Sequence, residues 1–577
     1  MKTDILKPVT REEPYPLLHW KSIIRFTQKS WVISVYSIQQ YTAKEEKQMK
    51  KSLKKMFAMM LAVMMIFSMA ACGGGGGTTD EDGEVIFNMA TTGGYDTFSF
   101  FNTESALVYD WFNMSYDSLI AYDENYNAIP RAASSWEADG NVWTFHLRDD
   151  IYFSDGEQLT SADVKWTYEH ALDSYMYSTH ADGFESIDCP DDFTVVFTCA
   201  TAKPDMLYQI IPILPEHIWG AVEDVFSYEP TELIGSGPFI YSAERSGSGS
   251  TAFVKNENYW GDVPVIDVLV FTEYDNADAM AQALKLGEVD ACYTLEKSQL
   301  ETLQATEGIE AGAYDSYGFE YLGYNMLDEL CADKTIRHAI DYCTDKNLAI
   351  EMSYGGLAVP AYGPVNNEGF AYTPAEARDL NIDKANEILD EAGYKDTDGD
   401  GIREMNGKKI SLELLTASDR SSWQSATVNM LITNCQQAGI EIVWVPMDKT
   451  AMWDTCYDGN PDWQLTIDGW GGDADPGAVM CIFLDYEVAG YAGVAYQNAE
   501  FDAAYDLVSS TADPTQRAAY IEACQEILYE DCPYTFLCFD QSVQAVNSAK
   551  WTGYKATSHG LFGNEMVYNY CHIAPAQ

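Results

Sequence analysis

An acidic run at residues 396–404 has the spacing with which proteins bind calcium. Carboxylates stand at positions 1, 3, 5 and 9 of the run, glycine stands at position 6, and position 7 would supply a backbone carbonyl. The candidate ligands are Asp396, Asp398, Asp400, Ile402 and Glu404. Position 12, however, is Gly407, where an EF-hand carries a bidentate glutamate. The run therefore predicts either a polar turn or a weak Ca²⁺ site, and no other cofactor is expected.

Catalytic signatures are missing from the chain. The motifs G-x-S-x-G and H-E-x-x-H, the Walker A loop and the dinucleotide fingerprint do not occur. The eight histidines include no close pair, which disfavours capture of nickel by histidines. We therefore predict a binding protein that is not an enzyme. A secreted hydrolase, such as a glycosidase with paired carboxylates, is the rival from another class.

Charge divides the chain into two unequal parts. Residues 1–71 hold 12 Lys or Arg against 5 Asp or Glu, whereas residues 72–577 hold 22 against 84. The net charges are therefore +7 and −62, within a total of −55. Such an acidic chain is a poor partner for nucleic acid or an anionic lipid surface. With 577 residues, two or three domains are expected.

The basic part contains a signal for export. Lys50, Lys51, Lys54 and Lys55 precede an apolar run of 12 residues at 56–67, which is too short to span a bilayer comfortably. Small residues then lead to Cys72, in a pattern that resembles the bacterial lipobox, whose cysteine is lipidated after cleavage. A short uncleaved membrane helix is the alternative. Since Met49 begins a complete signal, we predict that residues 1–48 are a mis-called upstream extension.

Twelve cysteines follow Cys72, and none forms a C-x-x-C pair. A zinc ribbon or a thioredoxin-type site is therefore not indicated. Export would permit disulfides, and buried free thiols are the alternative.

Helical and strand patterns alternate along the mature chain. Thr160 and Asp163 form a capping pair before apolar residues at helical spacing. Gly287 and Gly393 each follow an apolar stripe, as glycines do when they end a helix. Residues 193–198 alternate as a strand does, and residues 264–271 form an apolar run. The predicted class is α/β.

Ordered strings in the mature chain resemble the family 5 extracellular solute-binding proteins, which include the oligopeptide-, dipeptide- and nickel-binding components of ABC importers. The strings lie at 116–119, 133–137, 143–148, 153–156, 159–164, 213–219, 235–239, 258–261, 286–290, 336–340 and 361–364. The resemblance spans roughly residues 85–546 and keeps the family's order throughout. A monomer is expected. Because the chain lacks a Walker A loop, ATP hydrolysis would reside in other subunits.

The resemblance implies a two-lobed fold of the type II periplasmic-binding-protein kind, with an extra subdomain on the N-terminal lobe. The expected segments are a signal peptide at 49–71, a flexible tether at 72–84, lobe one at 85–113 and 233–323, the extra subdomain at 114–232, lobe two at 324–540 and a return to lobe one at 541–577. Ligand would sit between the lobes, which close over it.

The resemblance also suggests which residues bind the ligand. In peptide-binding relatives a similar Gly-Trp segment followed by an aspartate holds the peptide α-amino group, and the aligned residue here is Asp473, after Trp470, Gly471 and Gly472. From the residues alone, the alternative for Asp473 is a solvated carboxylate in a loop, and the alternative for Trp470 is a side chain of the hydrophobic core. Backbone groups at Gly93, Gly94 and Tyr95 would also approach the ligand, with an ordinary turn as the alternative.

The function implied is capture of short peptides by a lipid-anchored protein on the extracellular or periplasmic side of the cell membrane. An ABC permease with its ATPase subunits would receive the ligand. Within the same family, an oligosaccharide, a nickel complex or another small solute is the alternative ligand, because the chain's 38 Tyr and 14 Trp also suit stacking on sugar rings.

Overall fold

The structure is a computed structural model that describes residues 83–577, except 124–125, 175–176, 182, 368, 419–420, 458–461, 486–492 and 564–566. The predicted signal peptide, Cys72 and residues 72–82 of the tether lie outside the described residues. No helix within the described ranges is long and apolar enough to cross a membrane.

The described chain is built from strands and helices in mixed order. The strands are β1 (Ile86–Thr92), β2 (Ile120–Tyr122), β3 (Ala128–Pro130), β4 (Ala133–Asp139), β5 (Val142–Leu147), β6 (Phe184–Asp191), β7 (Thr194–Cys199), β8 (Phe239–Tyr241), β9 (Ser250–Lys255), β10 (Val268–Tyr274), β11 (Ala291–Leu295), β12 (Glu310–Tyr324), β13 (Ala358–Pro360), β14 (Glu404–Met405), β15 (Lys408–Lys409), β16 (Ser411–Ala417), β17 (Glu441–Met447), β18 (Leu465–Trp470), β19 (Tyr534–Val546), β20 (Trp551–Thr552) and β21 (Ala574–Pro575).

The α-helices span Ala106–Ser115, Ser161–His170, Ser178–Ala181, Glu216–Trp219, Ala277–Leu286, Leu300–Gln304, Lys334–Cys343, Lys346–Ser353, Ile382–Glu391, Ser421–Gln437, Lys449–Tyr457, Ala499–Ser510, Pro514–Asp531 and Val567–His572. Short 3₁₀ helices span Ala171–Asp173, Pro204–Tyr208, Lys297–Gln299 and Ala478–Phe483. The predicted capping box at Thr160 and Asp163 is confirmed, and Gly287 ends its helix with φ of 73°, as expected.

Eleven of the described strands form one sheet that runs through two lobes. Its order is β17-β16-β18-β12-β19-β11-β1-β10-β9-β8, and β13 pairs with β19. The long strands β12 and β19 are antiparallel; one end of the pair joins β11 and the other joins β18. We call the side with β1 and β8–β11 lobe one and the side with β16–β18 lobe two. β12 and β19 therefore connect the lobes.

The pairing of β12 with β19 is interrupted where the chain crosses between the lobes. Asp315 pairs with Gln541 and Phe319 pairs with Phe539, so residues 316–318 form an irregular step. At Gly318 an added Cβ would lie 2.4 Å from the carbonyl oxygen of Trp470, closer than real Cβ atoms come to an oxygen. The crossing thus depends on glycine at this position, and it brings β12 against the end of β18.

Lobe two has a hydrophobic cluster on each face of its sheet. Successive side chains of a strand point to opposite faces. In β12, Leu322 and Tyr324 accordingly join a cluster with helices Lys334–Cys343 and Ser421–Gln437, while Phe319 and Tyr321 join a cluster with helix Pro514–Asp531. This layered packing is typical of α/β proteins.

Lobe one carries a separate antiparallel sheet in the order β4-β5-β7-β6. Its four strands lie within residues 133–199, inside the range 114–232 expected for the extra subdomain. Phe145, Val195 and Phe197 are fully buried beneath helix Ser161–His170. The sheet shares its hydrophobic cluster with β1, so subdomain and lobe form one packed unit.

All twelve cysteines among the described residues are free thiols. Ten are buried; Cys189 is half-buried and Cys481 is exposed. Burial raises the pKa of the Cys292 thiol to about 12, and of the Cys456 thiol to about 12. Because the thiolate is the reactive form, these buried cysteines act as small apolar side chains.

Candidate ligand-binding site

A cavity of about 510 Å³ lies between the lobes, a size that suits a small ligand. Lobe one contributes residues of helix Ala106–Ser115 and of β19, the crossing contributes 315–317, and lobe two contributes 472–474. Much of the wall is aromatic. The tyrosines are Tyr109, Tyr122, Tyr126, Tyr208, Tyr293 and Tyr317. The cavity therefore combines flat apolar surfaces with phenol groups that can form hydrogen bonds.

Asp473 reaches this cavity from lobe two, on the loop that follows β18. Its Oδ1 accepts a hydrogen bond of 2.8 Å from the backbone N–H of Asp475, and its Oδ2 lies 3.5 Å from Nε2 of His180 in lobe one. Burial raises the pKa of the Asp473 carboxyl, and the neighbouring His180 opposes that rise. The side chain is 27% exposed, and it lines the cavity. A desolvated carboxylate thus faces the space where a ligand would lie.

A buried ion pair fixes the loop that carries Asp473. Asp475 accepts two short contacts from Arg517, 2.7 Å to Nη1 and 2.8 Å to Nη2, and both side chains are almost fully buried. Nε of Arg517 also donates to the carbonyl of Val508. Asp475 accepts from the N–H of Gly477 as well, so it also forms the turn that its place before proline suggests. Asn367 donates to the carbonyls of Asp473 and Ala474.

Gly472 lets this loop pack against the crossing between the lobes. An added Cβ would lie 2.2 Å from the carbonyl oxygen of Tyr317, which no side chain could tolerate without movement. Two residues further on, Ala474 is buried in the hydrophobic cluster of lobe one. The loop of lobe two that carries Asp473 therefore packs against lobe one, as expected when two lobes are closed around a cavity.

The other predicted site residues lie elsewhere. Trp470 packs on the core of lobe two and donates a 3.2 Å hydrogen bond to the hydroxyl of Tyr534, and Gly471 is exposed; neither lines the cavity. Gly93, Gly94 and Tyr95 line a separate cavity of about 120 Å³ in lobe one, and the Tyr95 ring stacks on Phe98. The structure thus brings Gly472 and Asp473 to the interlobe cavity and leaves the remaining five outside it.

Several residues of the cavity could not be found from the sequence. Asp110, His180, Asp315 and His559 all line it, although more than 440 positions separate Asp110 from His559. His559 stacks on Tyr317 with ring centroids 3.7 Å apart, and its Nδ1 donates to the carbonyl of Asp315. The only sequence feature that indicated an aromatic binding site was the high aromatic content, and composition does not show which rings are in contact.

A second cavity, of about 530 Å³, lies wholly within lobe one. It shares Tyr122 and Ile210 with the interlobe cavity, so these two side chains form a partition between them. Its other walls include Trp260 and Tyr568. All walls of this second cavity belong to lobe one, so closure of the two lobes would not enclose a ligand in it. The interlobe cavity is therefore the better candidate for ligand capture.

The acidic run at 396–404 folds into an exposed turn before β14. One oxygen from each of Asp396, Asp398 and Glu404 lies within 4.8 Å of the others, as cation ligands would. These oxygens already have partners. The two Asp396 oxygens accept hydrogen bonds from the backbone N–H groups of Gly399 and Gly401. The ammonium of Lys409 contacts the carboxylates of Asp398 and Asp400.

We expect the acidic run to be a polar turn that calcium does not stabilise. The ammonium of Lys409 stands beside the carboxylates, and position 12 offers no bidentate ligand, so a cation would have to displace an existing ion pair. Addition of millimolar CaCl₂ should leave the Tm unchanged within error, with MgCl₂ at equal ionic strength as the control. A rise in Tm with calcium alone would instead establish a cation site, because a ligand that binds only the folded state stabilises it.

Comparison with known proteins identifies the architecture. The family described as "Bacterial extracellular solute-binding proteins, family 5 Middle" matches residues 127–490. Protein XP55 of Streptomyces lividans is 29% identical over 73% of this chain and 78% of its own length. The oligopeptide-binding protein AppA of Bacillus subtilis is 26% identical over 78% of this chain and 84% of its own length.

A solved structure has the same fold. NikZ from Campylobacter jejuni, in complex with Ni(L-His), superposes with a TM-score of 0.69 at 21% identity, and the match covers 85% of this chain and 99% of NikZ. The structural neighbours are type II periplasmic binding proteins, and the related chains bind substrates for ABC transporters and are not enzymes. With a family match across 63% of its length and a two-lobed fold closed on a cavity, this chain belongs to the family 5 extracellular solute-binding proteins of ABC importers.

Proposed function

We propose that this protein captures short peptides in the interlobe cavity and delivers them to the permease of an ABC importer. One observation carries the proposal. Asp473 lines the cavity as a desolvated carboxylate, and it follows a Gly-Trp segment that resembles the one whose aspartate holds the peptide α-amino group in peptide-binding relatives. The name of the related oligopeptide-binding protein supports the same ligand class.

The chemistry of an ammonium group explains why a carboxylate is needed at this place. Moving a charged group from water into a closed cavity costs several kcal/mol unless an opposite charge and hydrogen bonds replace the water. Asp473 offers that charge at the end of a loop held by Arg517 and Gly472. An ammonium there would also relieve the cost of burying the Asp473 carboxylate itself.

The contact of Asp473 with His180 suggests how binding and closure are coupled. His180 belongs to lobe one and Asp473 to lobe two, so their 3.5 Å contact bridges the cavity. A ligand ammonium would compete with the imidazole for the same carboxylate. Ligand contacts made to both lobes would then stabilise the closed arrangement, because a ligand shifts a conformational equilibrium by its differential affinity for the two states.

Capture near the membrane requires an anchor. We propose that Cys72 carries the lipid and that residues 72–84 act as a tether, since they include a run of five glycines and glycine-rich linkers behave as flexible coils. The closed pair of lobes would then present one surface to the permease.

Mass spectrometry of the small molecules that co-purify with residues 78–577 tests the ligand class. We expect short peptides, about one equivalent per protein molecule, to be released on denaturation and to be absent from a matched preparation of Asp473→Asn. An oligosaccharide or a nickel chelate without peptide would overturn the peptide assignment. Turnover of an added peptide by the purified protein would overturn the binding function itself.

A further inference from the structure

A thin partition separates the interlobe cavity from the second cavity of lobe one. The two cavities measure about 510 and about 530 Å³, and Tyr122 and Ile210 line both of them. A side chain that lines two cavities lies between them, so the partition is one side chain thick at this place. Tyr122 and Ile210 are each only 7% exposed, as expected of side chains packed into a partition.

Tyr122 is held in the partition by a hairpin. Among the described strands, β2 and β3 form a two-stranded sheet of their own, and Tyr122 ends β2. Ile129 and Pro130 of this hairpin line the second cavity, whereas Tyr126, between the two strands, lines the interlobe cavity. The hydroxyl of Tyr126 forms a 3.0 Å hydrogen bond with Oγ1 of Thr557. The hairpin thus stands between the two cavities and is tied to the chain on the interlobe side.

Ile210 forms the other half of the partition and lies in a segment without helix or strand. Just before it, Nε2 of Gln209 donates a 3.0 Å hydrogen bond to Oδ2 of Asp205. Three residues after it, the backbone N–H of Ile213 donates a 2.8 Å hydrogen bond to the carbonyl of Asp117. Because the segment is anchored on both sides of Ile210, a shorter side chain at this position should open the partition and leave the backbone in place.

The second cavity suits an aromatic ring. Its walls include Tyr259, Trp260 and Val567. The Trp260 ring is held in place, since its Nε1 donates a 2.9 Å hydrogen bond to Asp117 and the guanidinium of Arg148 lies 4.3 Å from the centre of the ring. Aromatic rings pack favourably in offset or edge-to-face geometry, and each buries a large apolar surface. The indole of a ligand would fill this space if the partition let it pass.

We propose that Tyr122 and Ile210 determine the specificity of the site, because the partition keeps bulky aromatic side chains of a bound peptide out of the second cavity. The interlobe cavity holds only about half of the space that the two cavities offer together. A peptide residue that points towards Ile210 must therefore be small. This inference rests on the proposed peptide-binding function and specifies which peptides the site accepts.

Isothermal titration calorimetry with three peptides tests the inference. Tri-alanine is the small ligand, and Ala-Trp-Ala and Ala-Ala-Trp offer an indole to the partition at two distances from the terminal ammonium. We expect the wild type to bind tri-alanine at least about 10-fold more tightly than one of the two tryptophan peptides. In Ile210→Ala the affinity for that peptide should rise by about 10- to 100-fold, the gain expected when a large apolar side chain becomes buried. The affinity for tri-alanine should change by less than about 3-fold.

The double variant Ile210→Ala, Val567→Trp shows whether the indole enters the second cavity. Val567 lines that cavity and is not among the described residues that line the interlobe cavity, so tryptophan at this position should fill the space and abolish the gain. The matched control is Ile213→Ala, which shortens a fully buried isoleucine of the same segment that lines neither cavity. It should show no gain.

Circular dichroism confirms that each variant is folded. Ile210→Val removes only one methyl group, should show a smaller gain, and replaces Ile210→Ala if that variant does not fold. A wild type that binds both tryptophan peptides as tightly as tri-alanine overturns the inference without touching peptide binding. The same holds for a lack of gain in Ile210→Ala, for a gain that persists in the double variant and for an equal gain in Ile213→Ala. Failure of all three peptides to bind the wild type overturns the proposed function, and the inference with it.

Discussion

Replacing Asp473 by asparagine is expected to weaken peptide binding by about 2 to 5 kcal/mol, or about 30-fold to several thousand-fold in Kd. The amide has nearly the shape of the carboxylate, so the loop between β18 and the 3₁₀ helix Ala478–Phe483 should keep its conformation. What is lost is the negative charge opposite the ligand ammonium, which leaves that ammonium buried without a partner. Calorimetric titration of the purified variants with tri-alanine measures the change.

The control for this variant is Asp390→Asn, which removes an exposed carboxylate of lobe two that does not line the cavity. Its affinity for tri-alanine should equal that of the wild type within about 2-fold. An unchanged affinity in Asp473→Asn would rule out the ammonium-binding role. Acetylation of the peptide amino terminus should weaken binding to the wild type and have little further effect on Asp473→Asn.

The pH dependence of binding provides an independent check. Burial raises the pKa of Asp473 above the ordinary value of 3.8, and a protonated carboxyl cannot pair with an ammonium. Affinity should therefore be full at neutral pH and should decline as the pH falls through this raised pKa. Asp473→Asn has no proton to gain at this position, so its weaker affinity should lack that decline.

Replacing Arg517 by methionine is expected to lower the free energy of unfolding by about 3 to 5 kcal/mol, the usual cost of removing one partner of a buried ion pair. Asp475 would then be left almost fully buried without the two contacts of 2.7 and 2.8 Å that compensate its charge. The carbonyl of Val508 would lose a donor as well. Urea denaturation followed by tryptophan fluorescence measures the difference.

The matched control is Lys384→Met, at the exposed pair Lys384–Glu387 on helix Ile382–Glu391. Exposed pairs contribute little, so this variant should differ from the wild type by less than about 1 kcal/mol. The double variant Arg517→Met, Asp475→Leu should recover part of the loss, because no uncompensated charge is then buried. A cost in Arg517→Met no larger than in the control would show that the pair does not hold the loop of Asp473.

Local features of the fold followed from the sequence because they depend on neighbouring residues. The capping box at Thr160 and Asp163 involves four consecutive positions, and the structure contains it. Gly287 and Gly393 both adopt positive φ after their helices, as expected. The family and the two-lobed fold also followed, since their strings lie in order along the chain and the family match covers residues 127–490.

The site was only partly accessible from the sequence. Asp473 could be singled out through its Gly-Trp segment, and the structure places it in the cavity. The family resemblance also selected Gly93 and Tyr95, but these residues line a different cavity. The sequence could not exclude them, because it does not show how far the end of β1 lies from the interlobe cavity. That Asp473 binds an ammonium remains a prediction, which rests on the resemblance of its segment and on its position in the cavity.

The sequence by itself identified the family and singled out one candidate carboxylate, because each depends on short strings of neighbouring residues that can be read in order along the chain. Only the tertiary structure decided that Asp110, His180 and Asp473 share one cavity. They come together because β12 and β19 cross between the lobes and because Gly472 allows its loop to touch the crossing. Such proximity depends on contacts between residues up to several hundred positions apart, which no local pattern of residue types records.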